Sequence, residues 1–91
     1  MTNDEVRGPV IETIRRMIEH APAVLTGDTS PIDDLGLDSW DGLDFVDIVS
    51  EELGISIPAD VNPFRDDKEC RATTLDEIVA LLANLSLKEN A

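Results

Sequence analysis

Apolar residues recur at helical spacing in three stretches of the chain. The first stretch, Asp4 to His20, repeats them every three or four positions, which predicts an amphipathic helix with one buried stripe. Proline inside a helix clashes with the preceding turn, so Gly8-Pro9 leaves the start of the regular helix open between Asp4 and Pro9, and Ala21-Pro22 ends it. The stripe consists of Val6, Val10, Ile14, Met17 and Ile18.

The second stretch, from Ser39 to about Leu53, has an apolar face and an acidic face. At about 100° per residue, Phe45, Val46, Val49 and Leu53 fall on one side. Gly54 can take the positive φ that often ends a helix, and residues 55–58 then form a short extended connector. The opposite side carries five acids that we call the acidic ridge: Asp41, Asp44, Asp47, Glu51 and Glu52.

The third stretch follows a capping-box pattern, Thr74-Leu75-Asp76-Glu77, and predicts a last helix that frays after Leu87. Its apolar stripe is Leu75, Ile78, Val79, Leu82 and Leu85. Residues 59–73 are less regular, and we expect a short third helix to start within 60–64 with Phe64 as its apolar anchor. Loop 21–38 is expected to be ordered, with one short turn after Ser30 and with Ile32, Leu35 and Leu37 packed on the core.

These elements predict an all-α fold, a small four-helix bundle with a long ordered loop between helices one and two. At 91 residues the chain is expected to be one domain, residues 1–91, with a core from about residue 4 to residue 86. The predicted core residues are Val10, Ile14, Leu35, Phe45, Val46, Val49, Ile57, Ile78 and Leu82.

Charge narrows the choice of partners. Twenty acidic against seven basic residues give a net charge of −13, which repels nucleic acid and anionic membranes but attracts basic protein surfaces. No apolar run is long enough to span a membrane, no secretory signal opens the chain, and the single cysteine, Cys70, cannot form an internal disulfide. We therefore expect a cytoplasmic, monomeric protein with basic protein partners.

Ser39 is the candidate functional residue because it opens the second helix. Gly36 permits a tight turn, and Asp38 can cap the helix N-terminus. The unpaired N–H groups and the positive dipole end there favour an anion, so a phosphate ester on Ser39 would be stabilised. The alternative is a serine that merely begins a helix.

The sequence lacks the residues of the common catalytic and metal sites. Ser39 is not in a Gly-x-Ser-x-Gly elbow, and the only imidazole, His20, is expected at the far end of helix one, so no triad can form. One His and one Cys give no zinc set, and the acids near Gly36 and Gly42 do not fit a calcium loop. Cys70 is expected to be a small core or loop residue.

The surroundings of Ser39 resemble the acyl carrier protein family. The residues Gly36-Leu37-Asp38-Ser39 match the context of the serine that carries phosphopantetheine in that family, flanked by Asp33-Asp34-Leu35 and Asp44-Phe45-Val46. The run Glu51 to Pro58 is similar to the end and exit of the family's acidic helix. This chain departs from the family at Trp40, where Leu or Met is usual, and in a longer segment after the exit.

The resemblance implies that a phosphopantetheinyl transferase attaches 4′-phosphopantetheine from coenzyme A to Ser39, with Asp38 helping to position it. The protein would then be a carrier and not an enzyme, holding acyl or aminoacyl groups as thioesters for fatty-acid, polyketide or related biosynthesis. A faint likeness of residues 63–73 to D-alanyl carrier proteins makes an aminoacyl carrier the alternative. A third interpretation is an acidic docking module without a covalent arm.

A helical wheel that starts at Ser39 places two apolar residues on the acidic side. The apolar face centres at about 290° and the acidic face at about 140°, while Trp40 falls at about 100° and Ile48 at about 180°. Trp40 either packs back on Leu37 or anchors an interface with basic docking surfaces of loading and processing enzymes. The candidate partner surface is Trp40, Asp41, Asp44, Asp47, Ile48 and Glu51.

Overall fold

Three helices of 15 residues each form the framework of the protein, seen in a computed structural model that describes residues 2–18, 24–66 and 68–89. They are α1 (Asn3–Met17), α2 (Ser39–Leu53) and α3 (Leu75–Glu89). A short antiparallel ribbon, β1 (Arg65–Asp66) paired with β2 (Arg71–Ala72), separates α2 from α3 along the chain. Helix α1 packs against both other helices, so the predicted helical fold is confirmed, with three helices rather than four in the described residues.

Helix α1 begins well before its proline. Thr2 is the N-cap: its hydroxyl accepts the N–H of Glu5, and its own N–H donates to the Glu5 carboxylate. This capping box and the acidic first turn stabilise a start at Asn3, so Pro9 lies inside the helix. The described helix ends at Met17. The prediction that the helix continues to His20 is wrong, because Ile18 is already extended, with φ of −117° and ψ of 127°. Residues 20–22, where the end was predicted, lie outside the described residues.

Helix α2 has the predicted limits. Asp38 precedes it as the N-cap, and Gly54 ends it in the left-handed conformation with φ of 66°. The N–H groups of Gly54 and Ile55 both donate to the carbonyl of Ser50, which turns the chain back towards the core. Ile55 is therefore buried, whereas Ile57, the predicted core residue of this connector, is only partly buried.

The predicted short third helix is wrong for the described part of residues 59–73. Pro58 and Pro63 bracket only four residues, and each proline disfavours helical backbone in the residue before it. The chain instead makes turns and enters the ribbon, in which Arg65 pairs with Ala72. Phe64 is nonetheless the predicted anchor, because its side chain is fully buried, with its ring centroid 5.1 Å from that of Phe45.

The apolar core lies where the three helices meet. Of the predicted core residues, Leu35 is only partly buried, and Val46 is half-buried because it lies near the edge of the apolar face of α2. The remaining predicted core residues on the helices are buried, as predicted: Val10, Ile14, Phe45, Val49, Ile78 and Leu82. The buried cluster comprises Val6, Val10, Ile14, Phe45, Val49, Leu53, Ile55, Phe64, Leu75, Ile78, Val79, Leu82 and Ala83.

The described part of the long loop, residues 24–38, is ordered by hydrogen bonds to α3. The carbonyls of Gly27 and Thr29 accept the N–H groups of Asp76 and Leu75 in the first turn of α3, at 3.0 and 2.9 Å. The predicted turn after Ser30 is present at residues 31–35. The loop thus satisfies backbone donors at the start of α3 while it carries the chain towards Ser39.

Helix α3 also confirms its predicted cap. The Thr74 hydroxyl accepts the N–H of Glu77, and the Glu77 carboxylate accepts the N–H of Thr74, which is the capping box read from the sequence. The helix continues to Glu89, two residues beyond the Leu87 at which fraying was expected.

Candidate functional site

Ser39 lies at the first position of α2 and is exposed. The carboxylate of Asp38 accepts the N–H of Asp41 at 3.0 Å, and the Asp41 carboxylate accepts the N–H of Asp38 at 2.9 Å. These reciprocal bonds fix the start of the helix at Ser39. Gly36 has φ of 75°, as the tight turn before the helix required. The predicted geometry of an exposed serine at the positive end of a helix dipole is therefore confirmed.

The loop that precedes Ser39 is held by its own hydrogen bonds. The N–H of Ser30 donates to the Asp34 carboxylate at 2.7 Å, and the Ser30 hydroxyl accepts the N–H of Asp33 at 3.2 Å. The N–H of Leu37, two residues before Ser39, donates to the Pro31 carbonyl at 3.0 Å. The backbone therefore reaches Ser39 along a fixed path, and the serine does not depend on a loose loop for its position.

A shallow groove begins at Ser39 and separates the loop from the ribbon. The loop contributes Ile32, Asp33, Leu37 and Asp38, and the ribbon contributes Arg65, Cys70, Arg71 and Ala72. Arg65 is exposed and has no ion pair within the part of the chain that the structure describes. A positive charge beside Ser39 is notable in so acidic a protein. Arg65 was not predicted to lie near Ser39, because it belongs to a segment after α2 whose sequence shows no helical or strand periodicity.

Arg71, the second arginine of the groove, is neutralised by neighbouring acids. Its guanidinium donates to both Glu77 oxygens, at 2.8 and 2.5 Å, and it also pairs with Glu69 and, at 3.9 Å, with Asp66. The Glu77 hydrogen bonds raise the pKa of Arg71, and the Arg71 guanidinium lowers the pKa of the Glu77 carboxyl from its ordinary 4.5 to about 2. Arg65 is therefore the arginine available to an anion at this groove.

The predicted partner surface is only partly brought together. Asp44, Asp47 and Glu51 are exposed along α2, but Ile48 is half-buried. Asp41 is half-buried and caps the helix, so its carboxylate is already engaged at the first turn. Glu52, at the far end of the acidic ridge, pairs with Arg16 of α1 at 3.5 Å. Within the described parts of the chain, the acids of this surface without an ion pair or a capping bond are therefore Asp44, Asp47 and Glu51, which we call the free acids.

Trp40 projects into solvent. Its side chain is 77% exposed, so it does not pack back on Leu37, and that alternative for Trp40 is wrong. Leu43, which was not among the predicted surface residues, is 43% exposed. Its wheel position, about 40° from Ser39 on the side of Trp40, was the signal that could have identified it. Ser39, Trp40 and Leu43 thus place a hydroxyl and two exposed apolar side chains next to one another at one end of α2.

The other candidate features carry no cluster of functional groups. In residues 2–18, 24–66 and 68–89 there is no group of three or more His, Cys, Asp or Glu side chains able to hold a metal ion. Cys70 is an exposed ribbon residue with φ of 52°, and His20 lies outside the described residues. None of the helices in the same ranges is both long and apolar enough to cross a bilayer.

Comparison with known proteins connects this site with one family. A family model described as "Phosphopantetheine attachment site" matches residues 9–61, more than half of the chain and a segment that includes Ser39 and all of α2. The chain is 28% identical over 78 residues to the "Acyl carrier protein" of Rickettsia typhi and to that of Rickettsia prowazekii, covering 86% of this chain and 83% of each relative. The corresponding protein of Rickettsia canadensis is 27% identical over the same length. No solved structure gives a significant match.

Proposed function

Because the chain belongs to the acyl carrier protein family, whose prosthetic group is 4′-phosphopantetheine, we propose that Ser39 is the residue to which that group is attached. The protein is a carrier and not an enzyme. The observation that carries the assignment of Ser39 is its position: an exposed hydroxyl directly after a capped turn, at the first residue of α2, inside the matched segment.

The surroundings of Ser39 suit a phosphodiester. Amide N–H groups in the first turn of a helix and its positive dipole end favour a negative charge at that position. Arg65 adds a guanidinium on the opposite wall of the groove, and Ile32 and Leu37 offer apolar surface to the hydrocarbon part of the arm. Among the residues that the structure describes, Asp33 and Asp38 are the acids that line this groove, and Asp38 is already engaged as the helix cap.

In this mechanism Ser39 is the nucleophile of its own modification. Its Oγ attacks the phosphorus of the coenzyme A pyrophosphate that is joined to pantetheine. The Oγ–P bond forms as the P–O bond to adenosine 3′,5′-bisphosphate breaks, and the hydroxyl proton passes to a base of the transferase. Asp38 acts by fixing the helix start, so that the hydroxyl is presented outside the capped turn. Once attached, the group supplies the thiol that holds the cargo as a thioester.

Partner enzymes are proposed to bind the face of α2 next to Ser39. The contact surface comprises the exposed apolar pair Trp40 and Leu43 together with the free acids Asp44, Asp47 and Glu51. Acids at the edge of an interface mainly raise association rates with basic partners, whereas a tryptophan that becomes buried when the partner binds supplies affinity. The proposed partners are a phosphopantetheinyl transferase and acyl-loading or acyl-processing enzymes with basic docking surfaces.

The proposed cargo is an acyl intermediate of fatty-acid or polyketide biosynthesis. It is supported by the relatives, which are acyl carrier proteins by name. Mass spectrometry of the pantetheine arm ejected from protein purified from its native cells would identify the cargo. A fragment with the mass of a fatty or polyketide acyl group is expected. An aminoacyl fragment would instead support the aminoacyl carrier.

Intact-mass measurement tests the attachment site. After co-expression with a phosphopantetheinyl transferase, the wild type should gain the mass of one phosphopantetheine, and Ser39→Ala should gain none. Ser56→Ala, which removes an exposed hydroxyl outside the groove, is the matched control and should load like the wild type. The helical circular-dichroism signal of Ser39→Ala should be unchanged. A wild type that never gains the mass would support a non-covalent docking module, and loading that persists in Ser39→Ala would falsify the assignment.

A further inference from the structure

The side chain of Asn62 connects the segment after α2 to the first turn of α2. Its Nδ2 donates to the backbone carbonyl of Ser39 at 2.9 Å, and its Oδ1 accepts the backbone N–H of Phe64 at 3.0 Å. The second bond is an Asx turn across Pro63, which orients the amide. Both ends of the amide are therefore engaged, one of them on Ser39, the residue proposed to carry the prosthetic group.

Gly42 provides the space for this contact. It is buried within α2, and a Cβ at this position would lie 2.2 Å from Oδ1 and 2.9 Å from Cγ of Asn62. Any larger residue would push the amide away from the helix. Glycine inside a helix is otherwise unfavourable by about 1 kcal/mol relative to alanine. Close approach of Asn62 gives a physical reason for glycine here.

The segment behind Asn62 is rigidly supported. Phe64 is fully buried against Phe45, one turn further along α2 than Gly42. The Thr73 hydroxyl donates to the Pro63 carbonyl at 2.6 Å, and the Thr73 N–H donates to the Phe64 carbonyl at 3.1 Å. Asn62 therefore transmits the position of the core to Ser39 and is not a flexible loop residue that happens to touch it.

We propose that Asn62 is a positioning residue for Ser39: seated on Gly42, its amide holds the Ser39 carbonyl and keeps the first turn of α2 formed while the serine hydroxyl reacts. The proposal rests on the proposed function of Ser39. First turns of helices fray, and a transfer reaction depends steeply on the orientation of its nucleophile. Asn62 follows the last residue of the segment that matches the family model, so the match itself does not assign it a role.

Asn62→Asp separates the two hydrogen bonds. An aspartate keeps an oxygen for the Phe64 N–H but has no donor for the Ser39 carbonyl. In transfer of phosphopantetheine from coenzyme A, kcat should fall on the order of tenfold, the worth of about one hydrogen bond. KM for the carrier should be unchanged, because the exposed face of α2 is untouched. Asn84→Asp, the same change at an exposed site on α3, is the matched control and should behave like the wild type.

Gly42→Ala tests the seat of the amide. The new methyl group should displace Asn62, so Gly42→Ala should lower kcat as Asn62→Ala does, and the double variant should be no slower than either single variant. Multiplicative effects in the double variant would overturn the shared contact. A thermal melting curve of each variant, recorded by circular dichroism, ensures that folded proteins are compared.

Amide hydrogen exchange of residues 39–43 in the unmodified protein supplies a readout independent of loading. Exchange should be faster in Asn62→Asp than in the wild type and in Asn84→Asp. Equal exchange, or equal kcat in Asn62→Asp and the wild type, would overturn the role of Asn62 while leaving Ser39 as the attachment site. Failure of the wild type to load would count against the proposed function, and the exchange comparison would still decide whether Asn62 holds the first turn.

Discussion

At the residue scale, the site is defined by helix capping, which is a local property and can be predicted from sequence. Asp38, as an N-cap candidate directly after Gly36 and Leu37, indicated where α2 begins and that Ser39 follows the cap. The reciprocal bond of Asp41 was not predicted, because Asp41 had been assigned to the acidic ridge. The contact of Asn62 with Ser39 spans 23 positions, so no local pattern contains it. The sequence feature linked to this contact is Gly42 inside α2, and the reason for a glycine there can be given only once Asn62 is known to pack against it.

Trp40 gives the sharpest prediction at this scale. With 77% of its side chain exposed, Trp40→Ala should change the free energy of unfolding by no more than about 0.5 kcal/mol. If Trp40 anchors the interface, affinity for the phosphopantetheinyl transferase should fall by about 2 kcal/mol, close to 30-fold in Kd. Melting temperature and titration calorimetry with the transferase measure the two effects separately.

The matched control for Trp40 is Leu87→Ala. Leu87 is 59% exposed and lies near the C-terminal end of α3. The groove at Ser39 lies near the other end of this helix, because the ribbon that bounds the groove pairs through Arg71 with Glu77 at the start of α3. Its replacement should leave both stability and affinity unchanged. A Trp40→Ala variant that binds the transferase as tightly as the wild type would exclude Trp40 from the interface.

At the scale of elements, the helices could be predicted because their signals are periodic and end in recognisable caps. The ribbon could not be predicted, since strands of two residues have no period and Asn62-Pro63 resembles the start of a helix as much as a turn. The amphipathic period also gave the rotation of α2 about its axis only approximately. It identified Phe45 and Val49 as buried but overestimated the burial of Val46.

Phe45→Ala tests the rotation of α2 and the attachment of the ribbon together. Phe45 is fully buried and lies against Phe64, so its truncation should cost about 3–5 kcal/mol of unfolding free energy. Urea denaturation measures this loss. Val46→Ala is the control on the same helix and should cost clearly less, because Val46 is half-buried. Equal costs at the two positions would mean that the packing of α2 is not as described.

The pairing of Glu77 with Arg71 predicts a pH dependence. The pKa of Glu77 is lowered to about 2 in the folded protein, against an ordinary 4.5. A lowered folded-state pKa means that the ionised carboxylate stabilises the fold above about pH 4.5 and that this contribution is lost as the pH falls towards 2. The Glu77 side chain is 35% exposed, so solvent screening limits the contribution to about 0.5–1 kcal/mol.

Glu77→Gln isolates this contribution because glutamine keeps an oxygen for the Thr74 N–H cap while losing the charge. The wild type should be more stable than Glu77→Gln at pH 6, and the difference should shrink towards zero near pH 2. Urea denaturation of both proteins across this range measures it. A difference that stays constant with pH would show that the Arg71 pair contributes nothing through ionisation.

At the scale of the whole molecule, opposite charges are unevenly distributed. Arg7 of α1 pairs with Asp76 of α3 at 2.9 Å. Arg16 of α1 pairs with Glu12 of the same helix and, at 3.5 Å, with Glu52 of α2. These two arginines therefore neutralise acids where α1 contacts the other helices. Asp44, Asp47 and Glu51 have no ion pair in the described ranges. The outer face of α2 therefore concentrates uncompensated negative charge next to Ser39, which favours fast association with basic partners.

The same distribution predicts how salt affects stability. Raising the ionic strength from about 10 mM to 0.15 M shortens the Debye length from about 30 Å to 8 Å and screens repulsion among the 20 acids. Salt also weakens the exposed ion pairs of α1, but such pairs contribute only about 0–1 kcal/mol each. Relief of repulsion at a net charge of −13 should dominate, so the melting temperature should rise with added NaCl.

Two substitutions on the free face of α2 locate the repulsion. Asp44→Asn with Asp47→Asn removes two exposed, unpaired charges without touching the core or the cap at Asp38. The double variant should melt higher than the wild type at low salt and gain less from added NaCl, because less repulsion remains to be screened. Its loading by a basic transferase should also slow at low salt and lose part of its salt dependence, since the same two acids are proposed to steer association. A wild-type melting temperature that stays flat or falls with salt would mean that the negative charges are compensated locally, and the steering role proposed for this face would lose its physical basis.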